Sequence, residues 1–143
     1  ALAVADLVGD SFIDYDLHAA GMHMLPPGGF LARHLDAEVH PLRIWSRTHS
    51  IVMGVNSKWD GGKWGGELVI ERPEGNVVIF PKPGQVVIFE TANQWHEVKP
   101  VSDCQSKCCN QFRKTLALFA WEDKYIPGGS TGANFGGGLT SAS

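Results

Sequence analysis

The amino-acid sequence predicts an all-β domain with little helix. Its apolar segments are of strand length, and no long segment places apolar residues with helical periodicity. The 17 glycines and 8 prolines interrupt these segments at short intervals, as turns between strands require. A length of 143 residues suits one domain, and a sandwich, an up-and-down barrel and a double-sheet jelly roll all fit this pattern.

The predicted strands follow one another through a core that covers about residues 19–122 of a single domain, 1–143. They are residues 19–25, 30–35, 43–55, 67–71, 77–80, 86–89, 95–101 and 113–121. Residues 56–66 contain several glycines and are predicted to be a loop, whereas residues 102–112 are polar and predict an inserted loop. The Gly-rich segment 127–143 predicts a loose tail, because it holds too few large apolar side chains to build a core.

The composition disfavours two classes of partner. The net charge is −3 and charged residues make up 19% of the chain, so no basic surplus points to nucleic acid or to an anionic membrane. No apolar run is long enough to span a bilayer. The start of the chain has no basic n-region of a signal peptide and no initiator Met, which is consistent with a processed or trimmed chain lacking an N-terminal element.

The three cysteines, Cys104, Cys108 and Cys109, are odd in number and clustered, which does not describe a disulfide framework. We therefore expect a reducing compartment and a cytoplasmic protein. A zinc site at these cysteines is a weaker alternative, because their spacing is poor for zinc and only three thiols are present.

A metal site is predicted from His34-Leu35-Asp36 and His96. Residues two apart on a strand share a face, so His34 and Asp36 can bind one ion. His96 begins a later strand and would complete a set of two imidazoles and one carboxylate, which leaves coordination positions open. Such a facial triad is typical of non-haem Fe(II) oxygenases.

Arg113 lies on the strand that follows His96 and is the candidate for binding an anionic cosubstrate. A cosubstrate that chelates iron at one end needs a cation for its far carboxylate, and an Arg side chain offers a planar, permanently charged fork. Thr115 shares the face of Arg113 and offers a hydroxyl, whereas Lys114, the alternative cation, faces the opposite side.

In order and content, these motifs resemble the prolyl 4-hydroxylase-like group of 2-oxoglutarate/Fe(II) oxygenases, from Leu25 to Trp121. The resemblance is carried by Pro27-Gly28-Gly29-Phe30-Leu31 before His34-Leu35-Asp36, Arg47 before Asn56, Trp64-Gly65-Gly66-Glu67-Leu68, Pro83-Gly84, His96-Glu97-Val98-Lys99-Pro100-Val101 and Arg113-Lys114-Thr115-Leu116. It implies a double-stranded β-helix, that is, a cupin-like jelly roll.

The resemblance also implies a function. His34, Asp36 and His96 would bind Fe(II), and Arg113 with Thr115 would bind 2-oxoglutarate. With O2, the enzyme would hydroxylate an unactivated C–H bond while decarboxylating 2-oxoglutarate to succinate and CO2, and ascorbate is a further reductant that the group allows. A prolyl residue of a peptide is the favoured substrate, other peptides, proteins and small molecules stay open, and the sequence does not indicate an oligomeric state.

The chain departs from the group at two positions, because Leu25 and Gly54 stand where relatives often carry Tyr. Arg47 is expected to contact substrate or to pair at the surface, and Trp64 is expected to line the mouth of the site. His23 and His49 lie on predicted strands and are minor candidates for the cavity.

Two other functions remain open. The first is a metal-dependent jelly-roll enzyme, such as an isomerase or a dioxygenase without an oxo acid, which would not need Arg113. The second is a jelly roll that binds or supports structure without catalysis.

Overall fold

The computed structural model of the chain describes residues 7–102, 111–124 and 126–128. Within them lie the strands β1 (Phe12–Ile13), β2 (Gly21–Leu25), β3 (Leu31–His34), β4 (Ser46–Gly54), β5 (Leu68–Ile70), β6 (Val77–Ile79), β7 (Val86–Glu90), β8 (His96–Val98) and β9 (Arg113–Glu122), and the short helix α1 (Gly61–Trp64). The predicted insertion with its cysteines and the Gly-rich tail fall largely outside the described residues. None of the described helices has the length and apolarity to cross a membrane.

The all-β prediction is confirmed, and each predicted strand corresponds to one of β2–β9. Two elements were not predicted. β1 has only two residues, which is too short for alternation to be read, and α1 lies inside the segment 56–66 that was predicted to be a loop. α1 stops after one turn because Gly65 follows it with a positive φ of 62°.

The strands form two antiparallel sheets. Sheet I has the order β1-β9-β4-β7, with β2 also pairing with β9. Sheet II has the order β3-β8-β5-β6. After β2 the chain crosses between the two sheets at every connection except the β5–β6 hairpin, which is the architecture of a double-sheet jelly roll and confirms the fold class expected from the resemblance.

The main hydrophobic core lies between the two sheets. Sheet II contributes Leu68, Ile70 and Val98, and sheet I contributes Leu25 and Phe89. A second cluster, in which Val8 packs against Ile51 and Ala120, lies on the other face of sheet I, since Ile51 alternates with inward-facing neighbours on β4. Sheet I therefore packs apolar side chains on both of its faces.

A buried polar cluster links the segment after β1, through Asp14, to the connection between β3 and β4, through His40. The Asp14 carboxylate accepts hydrogen bonds from the backbone N–H groups of Asp16 at 3.0 Å and His18 at 2.8 Å. His40 Nε2 lies 3.4 Å from Asp14 Oδ2, and both side chains are buried. Burial raises the pKa of Asp14, but the two N–H groups and the nearby His40 outweigh it and hold the pKa below its ordinary value.

Asp14→Asn tests this cluster through its pH dependence. A carboxyl group with a lowered folded-state pKa stabilises the fold above its unfolded pKa of 3.8, and that stabilisation is lost as pH falls through the folded value. Urea unfolding should therefore show the variant less stable than the parent by roughly 1–3 kcal/mol at neutral pH. This difference in unfolding free energy between the parent and the variant should become smaller below about pH 4.

Asp16→Asn is the matched control for Asp14→Asn, because among the described residues the exposed Asp16 forms its ion pair with the exposed Arg43, at 3.1 Å. It should change stability by less than about 1 kcal/mol at any pH. If the difference in unfolding free energy between the parent and Asp14→Asn were as large at pH 3 as at pH 7, lost packing and not the carboxylate charge would be its cause.

Candidate metal centre and anion pocket

Strand pairing brings the three predicted metal ligands together. His34 ends β3 and His96 begins β8, and the two residues face each other in the antiparallel register of sheet II. Asp36 follows two residues after His34. One ligand atom from each of the three side chains lies within 4.8 Å of the other two, which is close enough for a single ion to contact all three.

The backbone fixes which nitrogen each histidine presents. His34 Nδ1 lies 2.8 Å from the carbonyl oxygen of Ala32, and His96 Nδ1 lies 3.0 Å from that of Gln94. Each Nδ1–H therefore donates to the carbonyl two residues earlier, and Nε2 keeps its lone pair for a metal. These Nε2 atoms lie 3.6 Å and 3.8 Å from Asp36 Oδ1, so the three donors converge on one point.

Asp36 is held as an ionised carboxylate. Ser50 Oγ donates a short hydrogen bond to Asp36 Oδ2, and Arg47 Nη1 lies 3.9 Å from Oδ1. Burial raises the pKa of Asp36, but the neighbouring His34, the charge of His96, the Ser50 hydroxyl and Arg47 outweigh it and lower the pKa to about 2. Two imidazoles and one carboxylate, with Oδ2 already occupied by Ser50, fit a divalent iron ion that keeps positions open for other ligands.

The two histidines differ in proton affinity. Burial lowers the pKa of His34, but Asp36 and the Ala32 carbonyl outweigh it and raise the pKa above its ordinary value. For His96 burial prevails over the attraction of Asp36 and lowers the pKa. A metal ion at this site therefore competes with a proton chiefly at His34.

Arg113 lies in the same cavity on the wall formed by sheet I. Its side chain is buried, Nε donates to the carbonyl of Gly66 at 2.7 Å, and Nη1 donates to Thr115 Oγ1 at 3.3 Å. No carboxylate forms an ion pair with Arg113 among residues 7–102, 111–124 and 126–128. Burial without such a partner lowers the pKa of Arg113 to about 10, so the group stays cationic at neutral pH and suits an anionic ligand.

The absence of a side chain at Gly66 leaves space for the side chain of Arg113. A Cβ on Gly66 would meet Arg113 Cδ at 2.9 Å, and the backbone φ of +70° would strain any other residue there. The glycine therefore lets its carbonyl approach the guanidinium and fix its direction. In the sequence, this contact is indicated only by Trp64-Gly65-Gly66, which is one of the motifs of the resemblance.

The prediction that Arg113 and Thr115 share one face of β9, opposite Lys114, is confirmed. Arg113 and Thr115 are buried, whereas Lys114 between them is exposed, as strand alternation requires. Lys114 is therefore turned away from the cavity.

The cavity that joins the metal ligands to Arg113 and Thr115 includes residues that the sequence left out or ranked low. Its lining is His23, Leu31, His34, Asp36, Ser50, Val52, Leu68, Phe89, His96, Val98, Arg113, Thr115, Ala117 and Phe119. Ser50 and Phe119 were not predicted, because only sheet register reveals that they face the metal ligands. His49, the other minor candidate, lines a separate surface groove with Arg72 and Glu74.

The two predicted substrate contacts are not among the residues that line this cavity, although Arg47 lies next to Asp36. Arg47 is buried rather than paired at the surface, with its guanidinium 3.7 Å from the ring centre of Phe119 and 4.8 Å from that of Trp121. Trp64 ends α1 and packs edge-to-face against Trp59, with ring centres 5.4 Å apart, and it does not line the cavity. A substrate role for either residue remains a prediction.

Two histidines and one carboxylate that leave coordination positions open are the ligand set of non-haem iron(II) oxygenases, and here the set shares a jelly-roll cavity with a buried arginine. The comparison with family models is consistent with this site. The 2OG-Fe(II) oxygenase superfamily matches residues 19–121, where 2OG stands for 2-oxoglutarate, and the chain therefore belongs to this family. A comparison with curated proteins finds no match.

Solved structures share the fold. A prolyl-4-hydroxylase from Pseudomonas putida is 28% identical, with a TM-score of 0.53 over 78% of this chain and 52% of that chain. A 2OG-Fe(II) oxygenase family oxidoreductase from Burkholderia pseudomallei is 24% identical, with a TM-score of 0.61 over 82% and 47%. A Trichoplax adhaerens prolyl hydroxylase, in complex with a peptide fragment of the hypoxia inducible factor oxygen degradation domain, is 22% identical, with a TM-score of 0.56 over 80% and 48%.

The latter two similarities concern the fold alone. The chain spans about half the length of these three solved chains, since it covers 52%, 47% and 48% of them.

Metal binding should depend on pH because of His34. Its raised pKa means that a metal must displace a proton below that pKa, so affinity should fall as pH falls through it, by roughly tenfold per pH unit for one proton. Above that pKa the dependence should flatten. Calorimetric titration with Mn(II) across the range in which histidine titrates would measure it.

His49→Ala provides the control for the Mn(II) titration, because it removes an imidazole that lines a different groove. This variant should keep the same pH profile as the parent. An affinity for Mn(II) that does not change with pH would contradict the assignment of His34 as a ligand.

Proposed function

We propose that this chain is the catalytic jelly roll of a 2-oxoglutarate- and Fe(II)-dependent dioxygenase that hydroxylates an unactivated C–H bond, with a prolyl residue of a peptide as the favoured substrate. The observation that carries the proposal is the convergence of His34, Asp36 and His96 in one cavity with the buried Arg113, which has no carboxylate partner in the part of the chain that the structure describes. A metal site alone would not require such a cation, and a cation alone would not require the triad.

His34, Asp36 and His96 would hold the iron, and Ser50 would keep the Asp36 carboxylate turned so that Oδ1 faces the two imidazoles. When bound, iron(II) supplies the activation of O2 that is coupled to decarboxylation of 2-oxoglutarate to succinate and CO2. The protein contributes three fixed ligands, an apolar wall of Leu68, Phe89 and neighbouring side chains, and exclusion of bulk water.

Arg113 and Thr115 would bind the far carboxylate of 2-oxoglutarate. Arg113 is already oriented by the Gly66 carbonyl and by Thr115 Oγ1, so little ordering is needed when an anion arrives. The other end of the 2-oxo acid would lie toward the metal ligands across the same cavity. A metal-dependent jelly-roll enzyme without an oxo acid would have no use for this buried cation.

The substrate is proposed from similarity. The Pseudomonas putida protein is described as a prolyl-4-hydroxylase and is 28% identical, which favours a prolyl side chain as the site of hydroxylation. A peptide or protein is the expected form of the substrate, and ascorbate is a reductant that such an enzyme would use. A mass increase of one oxygen on a proline-containing peptide, and on no free amino acid, would support this choice; hydroxylation of small molecules alone would contradict it.

Replacing a metal ligand should abolish turnover while leaving the fold intact. His96→Ala and Asp36→Ala remove ligand atoms that face a cavity, so the loss concerns the metal rather than the packing between the sheets. Succinate formation from 2-oxoglutarate with added iron should fall to background in both variants, and circular dichroism should keep its β signature.

His49→Ala is the matched control for His96→Ala, since its imidazole lies outside the cavity, and it should keep turnover close to that of the parent. Substantial succinate formation by Asp36→Ala would contradict the assignment of Asp36 as a ligand. Failure of the parent chain itself to form succinate would contradict the proposed function.

Arg113→Ala should weaken 2-oxoglutarate binding by orders of magnitude. Leaving a buried anion without its cation costs roughly 3–5 kcal/mol, which corresponds to a hundredfold or more in affinity. Arg113→Lys should recover only part, because an ammonium cannot make the two-pronged contact. Titrating 2-oxoglutarate with Mn(II) held constant would measure each affinity.

Lys114→Ala is the matched control for Arg113→Ala, since the neighbouring cation is exposed on the opposite face of β9. It should leave the titration unchanged, and Mn(II) affinity should hardly differ among the three variants, because neither residue is a ligand. An unchanged titration in Arg113→Ala would remove Arg113 from cosubstrate binding.

A further inference from the structure

His23 is a polar side chain of the cavity that the proposed function does not yet use. It lies on β2, which pairs with β9 in an antiparallel register that sets His23 opposite Thr115 and Leu25 opposite Arg113. Residues opposite each other in such a pair share a face of the sheet. His23 therefore faces the same side as Arg113 and Thr115, and it lines the cavity with them and with the metal ligands.

The residues that pair with Arg113 and Thr115 in sheet I offer few side-chain donors for an anion. The residues that pair with these two in register are Leu25 and His23 on β2 and Gly54 on β4. Leu25 is apolar and buried in the core. Gly54 has no room for a side chain, because a Cβ there would meet the Lys82 carbonyl oxygen at 2.5 Å. Among these paired neighbours, His23 is therefore the one with a polar side chain.

The position of His23 puts its ring within reach of the anion pocket. Directly opposed side chains in an antiparallel pair have Cβ atoms about 4.5–5.5 Å apart, and the His side chain extends further from its Cβ than the Thr side chain does. Thr115 Oγ1 is itself in contact with Arg113 Nη1 at 3.3 Å. Within residues 7–102, 111–124 and 126–128, no hydrogen bond occupies the ring nitrogens of His23.

The charges around His23 support a neutral donor. Partial burial lowers its pKa, and the positive charge of Arg113 lowers it further, against the opposing effect of Asp36. A neutral ring carries one N–H and does not repel the guanidinium.

We propose that His23 donates a hydrogen bond to the carboxylate that Arg113 binds, and that it thereby helps the pocket to select a 2-oxo acid with a second carboxylate. The inference rests on the proposed function. In this arrangement Arg113 supplies the charge, while Thr115 and His23 supply neutral contacts from two adjacent strands. His23 is thus a specificity residue for the cosubstrate and not a metal ligand.

The test compares two acids that differ at the far end. 2-Oxoglutarate carries the second carboxylate, whereas 2-oxobutanoate has the same 2-oxo acid group without it. With Mn(II) as the metal, affinities for both acids are measured by calorimetry in the parent chain, His23→Ala, His23→Gln and Met24→Ala. Met24→Ala is the matched control, because Met24 is exposed and alternates to the opposite face of β2.

His23→Ala should lose about ten- to a hundredfold in affinity for 2-oxoglutarate, the range of a hydrogen bond to a charged group, with little change for 2-oxobutanoate. His23→Gln keeps an N–H donor and should recover part of the loss. Met24→Ala should match the parent for both acids, and Mn(II) affinity should be the same in all four proteins.

Equal losses for both acids in His23→Ala would overturn the proposal, because they would show that His23 only shapes the cavity. An unchanged affinity for 2-oxoglutarate, or a loss of Mn(II), would also overturn it. Arg113→Ala distinguishes a failure of the role of His23 from a failure of the proposed 2-oxoglutarate site. If it abolishes the preference for 2-oxoglutarate while His23→Ala keeps that preference, only the role of His23 fails. A parent chain that does not bind 2-oxoglutarate would overturn the proposed function and the role of His23 with it.

Discussion

The antiparallel register between β3 and β8 determines the site. This pairing sets His34 opposite His96, although the two residues are distant in the sequence, and it directs both side chains toward sheet I. The carbonyls of Ala32 and Gln94, which belong to the same strands or their ends, then fix the orientation of both rings. Because a shift of one residue would turn one imidazole to the opposite face, the site depends on this register as strongly as the core does.

The two sheets contribute opposite charges to one cavity. On one wall, Asp36 just after β3 carries a negative charge between the imidazoles of His34 and His96 on sheet II. On the other wall, sheet I supplies the cationic Arg113. Burying an ion without a partner costs several kcal/mol. Among the described residues this applies to Arg113, whereas Asp36 has Arg47 at 3.9 Å and the Ser50 hydroxyl beside it. A divalent cation beside Asp36 and a dicarboxylate beside Arg113 would each match one of these charges. The charges of the two walls thus suit a cation and an anion bound in one cavity.

Much of the fold and the metal site could be predicted because their signals are local. Strand-length apolar runs separated by turns predict β2–β9, and His34-Leu35-Asp36 is a motif on a single strand end. β1 was missed because two residues show no period, and α1 because a helix of one turn in a Gly-rich segment has no amphipathic pattern. Helix formation of that length depends on tertiary contacts, which composition does not reveal.

The remaining site residues could not be predicted, because they depend on which strands become neighbours. Ser50 reaches Asp36 from sheet I, and nothing near Ser50 in the sequence marks it. Arg47 was expected to contact substrate or to pair at the surface. The structure buries it beside Phe119 and near Asp36, so the surface alternative is wrong, and a substrate role stays a prediction. In both cases the partner lies on another element, so the contact follows from packing and not from a motif.

Backbone proximity also explains a departure from the family pattern. The position of Gly54, where relatives often carry Tyr, is closed to any side chain by the Lys82 carbonyl in the turn between β6 and β7. The Gly84 N–H donates to the carbonyl of Gly54 at 2.9 Å, so this turn is held against the end of β4. A hydroxyl lost from β4 cannot be restored there without moving the turn. Among the strands that pair with each other beside Arg113, the polar side chains toward a ligand therefore come from β9 itself and from β2 on its other side.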